Sequence, residues 1–301
     1  MRIGPGSRIA PMSANGRIGV PSADRPMGIA VRRAIGVIQE HYHEPITMND
    51  LAAQVFISQF HFSRMFAKAT GVTPGRYLTA VRMFEAKRLH LTSQLTISDI
   101  VCTVGYSSVG TFTSRFTRAV GMSPSQFREP QVRNLLLAIA PHFQHLPSVG
   151  TLRDAGQGCA QTVPGGASVT ARIELPADQP AGEVLVGVFA EAIPQCGPVA
   201  FTGLRAAHSG TVTLDGVPPG RWLVIAAAQH VRPDGGIALT TGTLREPVVV
   251  TDHSRHAVRV RMRLLQDTDP PIAITLATRS DRPTSPSAGH AGTVPPLAVA
   301  A

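Results

Sequence analysis

The sequence predicts a multidomain chain, an all-α region built on a tandem helical repeat followed by an all-β, sandwich-like region. Three observations predict it. The stretch "SQFHFSRMFAKATGVTPGRY" (58–77) is echoed by "SVGTFTSRFTRAVGMSPSQF" (108–127), with Phe62, Phe66, Gly71, Pro74 and Tyr77 matching Phe112, Phe116, Gly121, Pro124 and Phe127 at a constant offset of 50. From 167 to 266 apolar and polar residues alternate, the period of strands with one buried face. Composition marks the boundaries. Residues 1–26 and 267–301 are expected to be disordered, being rich in Gly, Pro, Ser or Thr. Residues 131–166 read as a linker that opens with a short helix in "NLLLAIAPHF" and continues through "DAGQGCAQTVPGG".

Within 27–130 the helices follow in order. Val31, Ile35, Ile38 and Tyr42 form one helical stripe, which Glu44-Pro45 ends. Thr47-x-x-Asp50 reads as a capping box opening a second helix, and Thr96-x-x-Asp99 is its counterpart. Ser58 is a good N-cap for a third helix, which Gly71 closes as Gly121 closes its twin. Thr73-Pro74 and Ser123-Pro124 each place a cap before a proline at the first helical position. Between the copies runs a longer helix, roughly 74–92, with a stripe of Leu78, Val81, Glu85 or Ala86, and Leu89. The offset is 49 at Asp50 and Asp99 and 50 at Phe62 and Phe112, which puts one inserted residue around 107–110.

The all-β region has its clearest alternation at Val169, Ala171, Ile173 and Leu175, and again at Val258, Val260, Met262 and Leu264 between Arg259, Arg261 and Arg263. "EVLVGVFA" (183–190), "GTVTLDG" (210–216) and "RWLVIAAA" (221–228) are further strands, with "GVPPG" (216–220) as a tight corner. Several short strands in about a hundred residues suggest a sandwich.

The formal charge is +9 and it is unevenly placed. Residues 1–26 carry four Arg and one Asp, residues 27–130 eleven Lys/Arg and six acids, and residues 131–301 thirteen Arg and twelve acids. The excess sits with the repeat, where it suits a polyanion. Cys102, Cys159 and Cys196 form no C-x-x-C pair and read as reduced. With no apolar run of membrane length and no signal-peptide core, a cytoplasmic location is expected. His142-x-x-His145 and His253-x-x-His256 lack the further ligands of a tetrahedral metal site, so they read as surface histidines. No catalytic or cofactor-binding motif is found, and neither enzyme activity nor a metal or cofactor is expected.

A short helix, a tight turn and a second helix with an apolar seam form a helix-turn-helix, whose second helix enters the major groove. In the first copy Phe62 and Phe66 point to the core while Gln59, Phe60, Ser63, Arg64 and Lys68 face out beside the cap Ser58. In the second copy Thr111, Ser114, Arg115 and Arg118 face out beside Ser108 and Gly110. Arg64 suits a bidentate contact to guanine; Lys68 and Arg118, nearer the helix C-termini, suit phosphates.

Residues 27–130 resemble the AraC/XylS family of transcriptional regulators. The second copy, "ISDIVCTVGYSSVGTFTSRFTRAVGMSPSQFR", shows the family's pattern at Ile97, Ile100, Gly105-Tyr106, Phe112, Arg115-Phe116, Gly121, Ser123-Pro124 and Phe127-Arg128. "LAAQVFISQFHFSRMFAKATGVTPGRYL" and "RMFEAKRLHL" fit as well. The resemblance implies a DNA-binding transcription regulator, an activator by family habit, with double-stranded DNA and RNA polymerase as partners. It also implies base-reading positions at Phe60, Ser63 and Arg64, and at Gly110, Thr111 and Ser114. Ser114 stands where the first copy has Arg64, and Gly110 has no side chain, so unequal reading is expected. "TVTLDGVPPGRWLVIAAA" resembles, more briefly, prealbumin-like and carboxypeptidase-regulatory-like sandwich modules. The all-β region is left three roles: sensing a small molecule, binding a protein partner, or carrying a ligand-binding or enzymatic site to which the helical region is an adaptor.

Overall fold

In the computed structural model, residues 26–140, 143–154, 166–206, 208–244 and 246–276 are described. The disorder expected for 1–25 and 277–301, Cys159 and His142 lie outside them.

The helical elements are α1 (Pro26–His41), α2 (Met48–Gln54), α3 (Gln59–Thr70), α4 (Pro74–Thr92), α5 (Ile97–Thr103), α6 (Val109–Val120), α7 (Pro124–Phe127) and α8 (Pro130–Asn134). Both capping boxes form: the Thr47 and Thr96 hydroxyls accept from the Asp50 and Asp99 amides, and each aspartate accepts from the cap amide in return. The Thr47 and Thr96 hydroxyls also donate to the Asp50 and Asp99 carboxylates, at 2.7 and 2.6 Å, and these bonds, with those from the cap amides, hold the two carboxyls below the usual aspartate range. Gly71 and Gly121 end α3 and α6 in left-handed conformation, at φ 79° and 81°. The inserted residue is Ser107. The Ile57 amide bonds the Ala52 carbonyl and the Tyr106 amide the Val101 carbonyl, keeping offset 49, while the caps Ser58 and Ser108 stand at 50.

The β elements are β1 (Leu136–Ala140), β2 (Phe143–His145), then, after α9 (Val149–Asp154), β3 (Ala167–Glu174), β4 (Gly182–Phe189), β5 (Ala200–Ala206), β6 (Ser209–Val217), β7 (Gly220–Val231), β8 (Ile237–Thr243), β9 (Val248–Val250), β10 (Arg255–Arg261), β11 (Arg263–Leu264) and β12 (Ile272–Thr275). They form three sheets: β12-β1-β2, β10-β3-β6, and β11-β8-β7-β4-β5 with β9 paired to β7. Ala171, Ile173, Val186, Val224 and Val260 belong to one core shared by the second and third sheets. Trp222 packs in it and donates to the Pro218 carbonyl at 2.7 Å, bracing the corner at 216–220 where the chain passes between those sheets.

The small sheet joins the two halves. Leu136, Ala138 and Ala140 of β1 and Ala273 of β12 complete the core around Phe112 and Phe116. Leu137, Ile139 and Ile274 lie on the other face, in a core with Leu185, Phe201 and Ile225 of the large sheet. This corrects the helix expected in "NLLLAIAPHF": residues 136–140 are a strand, with a short helix only before it. A strand buried on both faces is a continuous apolar run, which period alone cannot separate from a buried helix. Likewise β12 falls within the expected disordered tail, because its partner β1 lies more than a hundred residues away in sequence. Leu264 is 39% exposed rather than inward.

Candidate nucleic-acid interface

Each reader is built alike. A two-turn helix, α2 or α5, packs against a twelve-residue helix, α3 or α6, whose phenylalanines are fully buried: Phe62 and Phe66 in the first, Phe112 and Phe116 in the second. Aromatic edge contacts lock this seam, Phe66 to Tyr77 at 5.4 Å and Phe116 to Phe127 at 5.6 Å between centroids. With the seam fixed, the opposite face is left to solvent.

On α3 that face shows Gln59, Phe60, Arg64 and Lys68 exposed and Ser63 half-buried; Phe60 is 73% exposed, unusual for a phenylalanine without a partner. On α6 it shows Gly110, Thr111, Ser114, Arg115 and Arg118, all exposed. Neither helix carries an acidic residue. Ser58 and Ser108 act first as caps, their Oγ atoms accepting from the His61 amide (3.4 Å) and the Thr111 amide (3.3 Å). Their hydroxyl hydrogens remain available as donors.

The spacing of the readers is fixed through α4. Arg82, midway along it, donates to the Tyr42 carbonyl (2.6 Å) and the Glu44 carbonyl (2.7 Å) beyond α1, and its guanidinium lies 5.8 Å from the Tyr106 ring in the second reader's turn. A Cβ added to Gly105 would sit 2.6 Å from the His43 carbonyl oxygen, so the two units meet backbone to backbone there. At the far end Arg128 donates to His90 Nδ1 (3.0 Å) and to the Leu95 carbonyl. Burial and the Arg128 charge push the His90 pKa down to about 4, so the ring is neutral at pH 7.

Arg82, Lys87 and Arg128 brace the frame, a role that sequence reasoning did not assign them. Lys87 is fully buried although it lies on a helix otherwise read as a simple amphipathic rod. Its Nζ donates to the Gln195 carbonyl (2.8 Å), Gln195 Oε1 (3.0 Å) and the Ala273 carbonyl (2.6 Å), all from the β-rich half. Burial lowers its pKa to about 7, against three acceptors that only the ammonium form can fill at once. A lysine at that spacing gives no such signal in sequence; the partners are supplied from more than a hundred residues downstream.

Part of the helical region is similar to known proteins. The helix-turn-helix domain family matches residues 51–130. The lactose operon transcription activator of Staphylococcus xylosus is 35% identical over 98 residues, 33% of this chain and 35% of that protein. The melibiose operon regulatory protein of Escherichia coli K12 is 32% identical over 108 residues, 36% of each. The chain thus spans about a third of the length of the curated relatives it matches. Among solved structures, the DNA-binding domain of AdpA in complex with a target DNA is 29% identical, covering 33% of this chain and 89% of that one, at a TM-score of 0.32.

Proposed function

We propose that this chain, whose residues 51–130 make an AraC-type helix-turn-helix domain, is a sequence-specific DNA-binding transcription regulator. It reads two successive major grooves, about one helical turn apart, with α3 and α6. The observation that carries this is the pair of exposed, acid-free helix faces on one braced frame, with the β-rich half packed elsewhere. The named relatives are operon regulators, one of them a transcription activator, which supports the same role. Among the described residues no helix is long and apolar enough to cross a membrane.

We read 167–266 as a two-layer sandwich with a sensing or interaction role and assign it no catalysis. The core shared between sheets supports the layering.

The test is selection of bound duplexes from a random pool by the full chain. One enriched bipartite motif is expected, with affinity falling steeply as salt rises. Failure to enrich any motif at low salt would sink the reading. Truncation after residue 130 is the wrong comparison, because it strips Leu136, Ala138 and Ala273 from the second reader's core.

A further inference from the structure

Two segments of the β-rich half grip the helix that spaces the readers. The first lies between β4 and β5: Glu191 accepts from Arg76 at 2.8 Å, Ile193 is buried in the first reader's core, and Gln195 takes two bonds from Lys87. The second precedes and includes β12: the Asp269 carbonyl accepts from the Tyr77 hydroxyl at 3.2 Å, and the Ala273 carbonyl from Lys87. These segments also bound one side of a cleft of about 920 Å³, through Ala192, Asp269, Pro270 and Ile272. That volume suits a small organic ligand.

The opposite wall supplies the chemistry. Thr241 and Thr243 come from β8, and Arg259, Arg261 and Arg263 from β10 and β11. The arginines outnumber the two acids of the lining, Glu246 and Asp269. Just outside, one carboxylate serves three guanidinium groups: Glu174 lies 3.7 Å from Arg172, 3.2 Å from Arg259 and 3.3 Å from Arg261. Arg263 forks onto Asp269, at 2.7 and 2.5 Å. A guanidinium fork fits a carboxylate or phosphate in the same planar way, so a ligand anion can take the place Asp269 now holds.

We infer that this cleft is an effector site for a small hydroxylated polyanion, carboxylate or phosphate, which competes with Asp269 for Arg263 and acts through the Asp269–Tyr77 and Ala273–Lys87 contacts on α4. This rests on the DNA-binding reading only for its consequence. A ligand that binds one position of the Asp269–Ala273 segment better than another shifts the balance between the two, and that segment holds the rod between the readers. The effect on DNA is then a change of reader spacing, with neither recognition face covered.

The full chain is titrated by calorimetry, at fixed ionic strength, with citrate, fructose 1,6-bisphosphate and glucose. Saturable one-site binding of an anion, and none of glucose, is expected; which anion binds tells carboxylate from phosphate chemistry. Arg263→Gln and Arg259→Gln should each weaken it tenfold or more, while Arg205→Gln, outside the cleft, leaves it unchanged. The bound anion should alter affinity for the selected DNA at least threefold. Lys87→Met, or the milder Tyr77→Phe, should abolish that change without loss of anion binding. No saturable binding of either anion, or binding indifferent to both cleft variants, overturns the site. Anion binding without any change at DNA overturns the coupling. A chain that takes up the anion and selects no DNA leaves the site standing and refutes the regulator reading instead.

Discussion

The two readers share a frame and differ in what covers it. Caps, left-handed glycine stops and buried phenylalanine pairs recur at the same positions. Yet the first core is closed by a loop residue, Ile193, and meets β12 at its first residue, Ile272, whereas the second runs on into β1 and β12 through Leu136, Ala138, Ala140 and Ala273. Their solvent faces differ too, Phe60 and Arg64 against Gly110, Thr111 and Ser114. Repetition therefore preserves what folding needs, while the exposed face and the outer packing are free to diverge.

The largest test of this comparison is in the cores. Phe66→Ala and Phe116→Ala should each cost about 3–5 kcal/mol, read by denaturant unfolding. Phe116→Ala should also loosen the β1–β12 pairing, seen as faster amide exchange at Leu137 and Ile274. Exchange there unaffected by the second substitution but raised by the first would reverse the assignment of cores.

A pH titration separates the two buried bases of α4. The folded pKa of Lys87 lies near 7, below its usual value near 10.5, so the unfolded chain holds more protons between them. Stability should rise with pH across that window, and Lys87→Met should remove the rise. The folded pKa of His90 lies near 4, so the second reader's contribution is complete above about 6.5 and is lost as pH falls toward 4. A lower window that vanished with Lys87→Met would show that the two sites are not separate.

Recognition should be uneven. Arg64→Ala is expected to cost about 1–3 kcal/mol of base discrimination, read as lost preference in its half-site, and Thr111→Ala less. If Thr111→Ala abolished specificity while Arg64→Ala left it intact, the order of the readers would be inverted.

The smallest contrast lies in the turns. Phe56 and Gly105 occupy the same place, both with positive φ, 58° and 79°. Phe56 is 86% exposed, so Phe56→Gly should stabilise by at most about 1 kcal/mol as left-handed strain is relieved against added chain entropy. Gly105→Ala should destabilise, since its Cβ would meet the His43 carbonyl. Equal effects of the two on melting temperature would deny that the turns are equivalent.

The sequence by itself determined the local devices. Capping boxes, glycine stops, the Thr-Pro start of α4 and the in-out rhythm of β3 act between residues a few positions apart, where spacing and residue type are the physics. The outward residues of both readers were legible for the same reason, as the complement of an apolar seam. Only the tertiary structure decided the rest. Residues 136–140 become a strand because β12 and two flanking cores receive them. Lys87 is tolerated in the interior because Gln195 and Ala273 bring three oxygens to it. The cleft exists because β1, β8, β10 and the segments before β5 and β12, far apart in the chain, meet there. A buried group's role depends on partners that distance along the chain does not reveal.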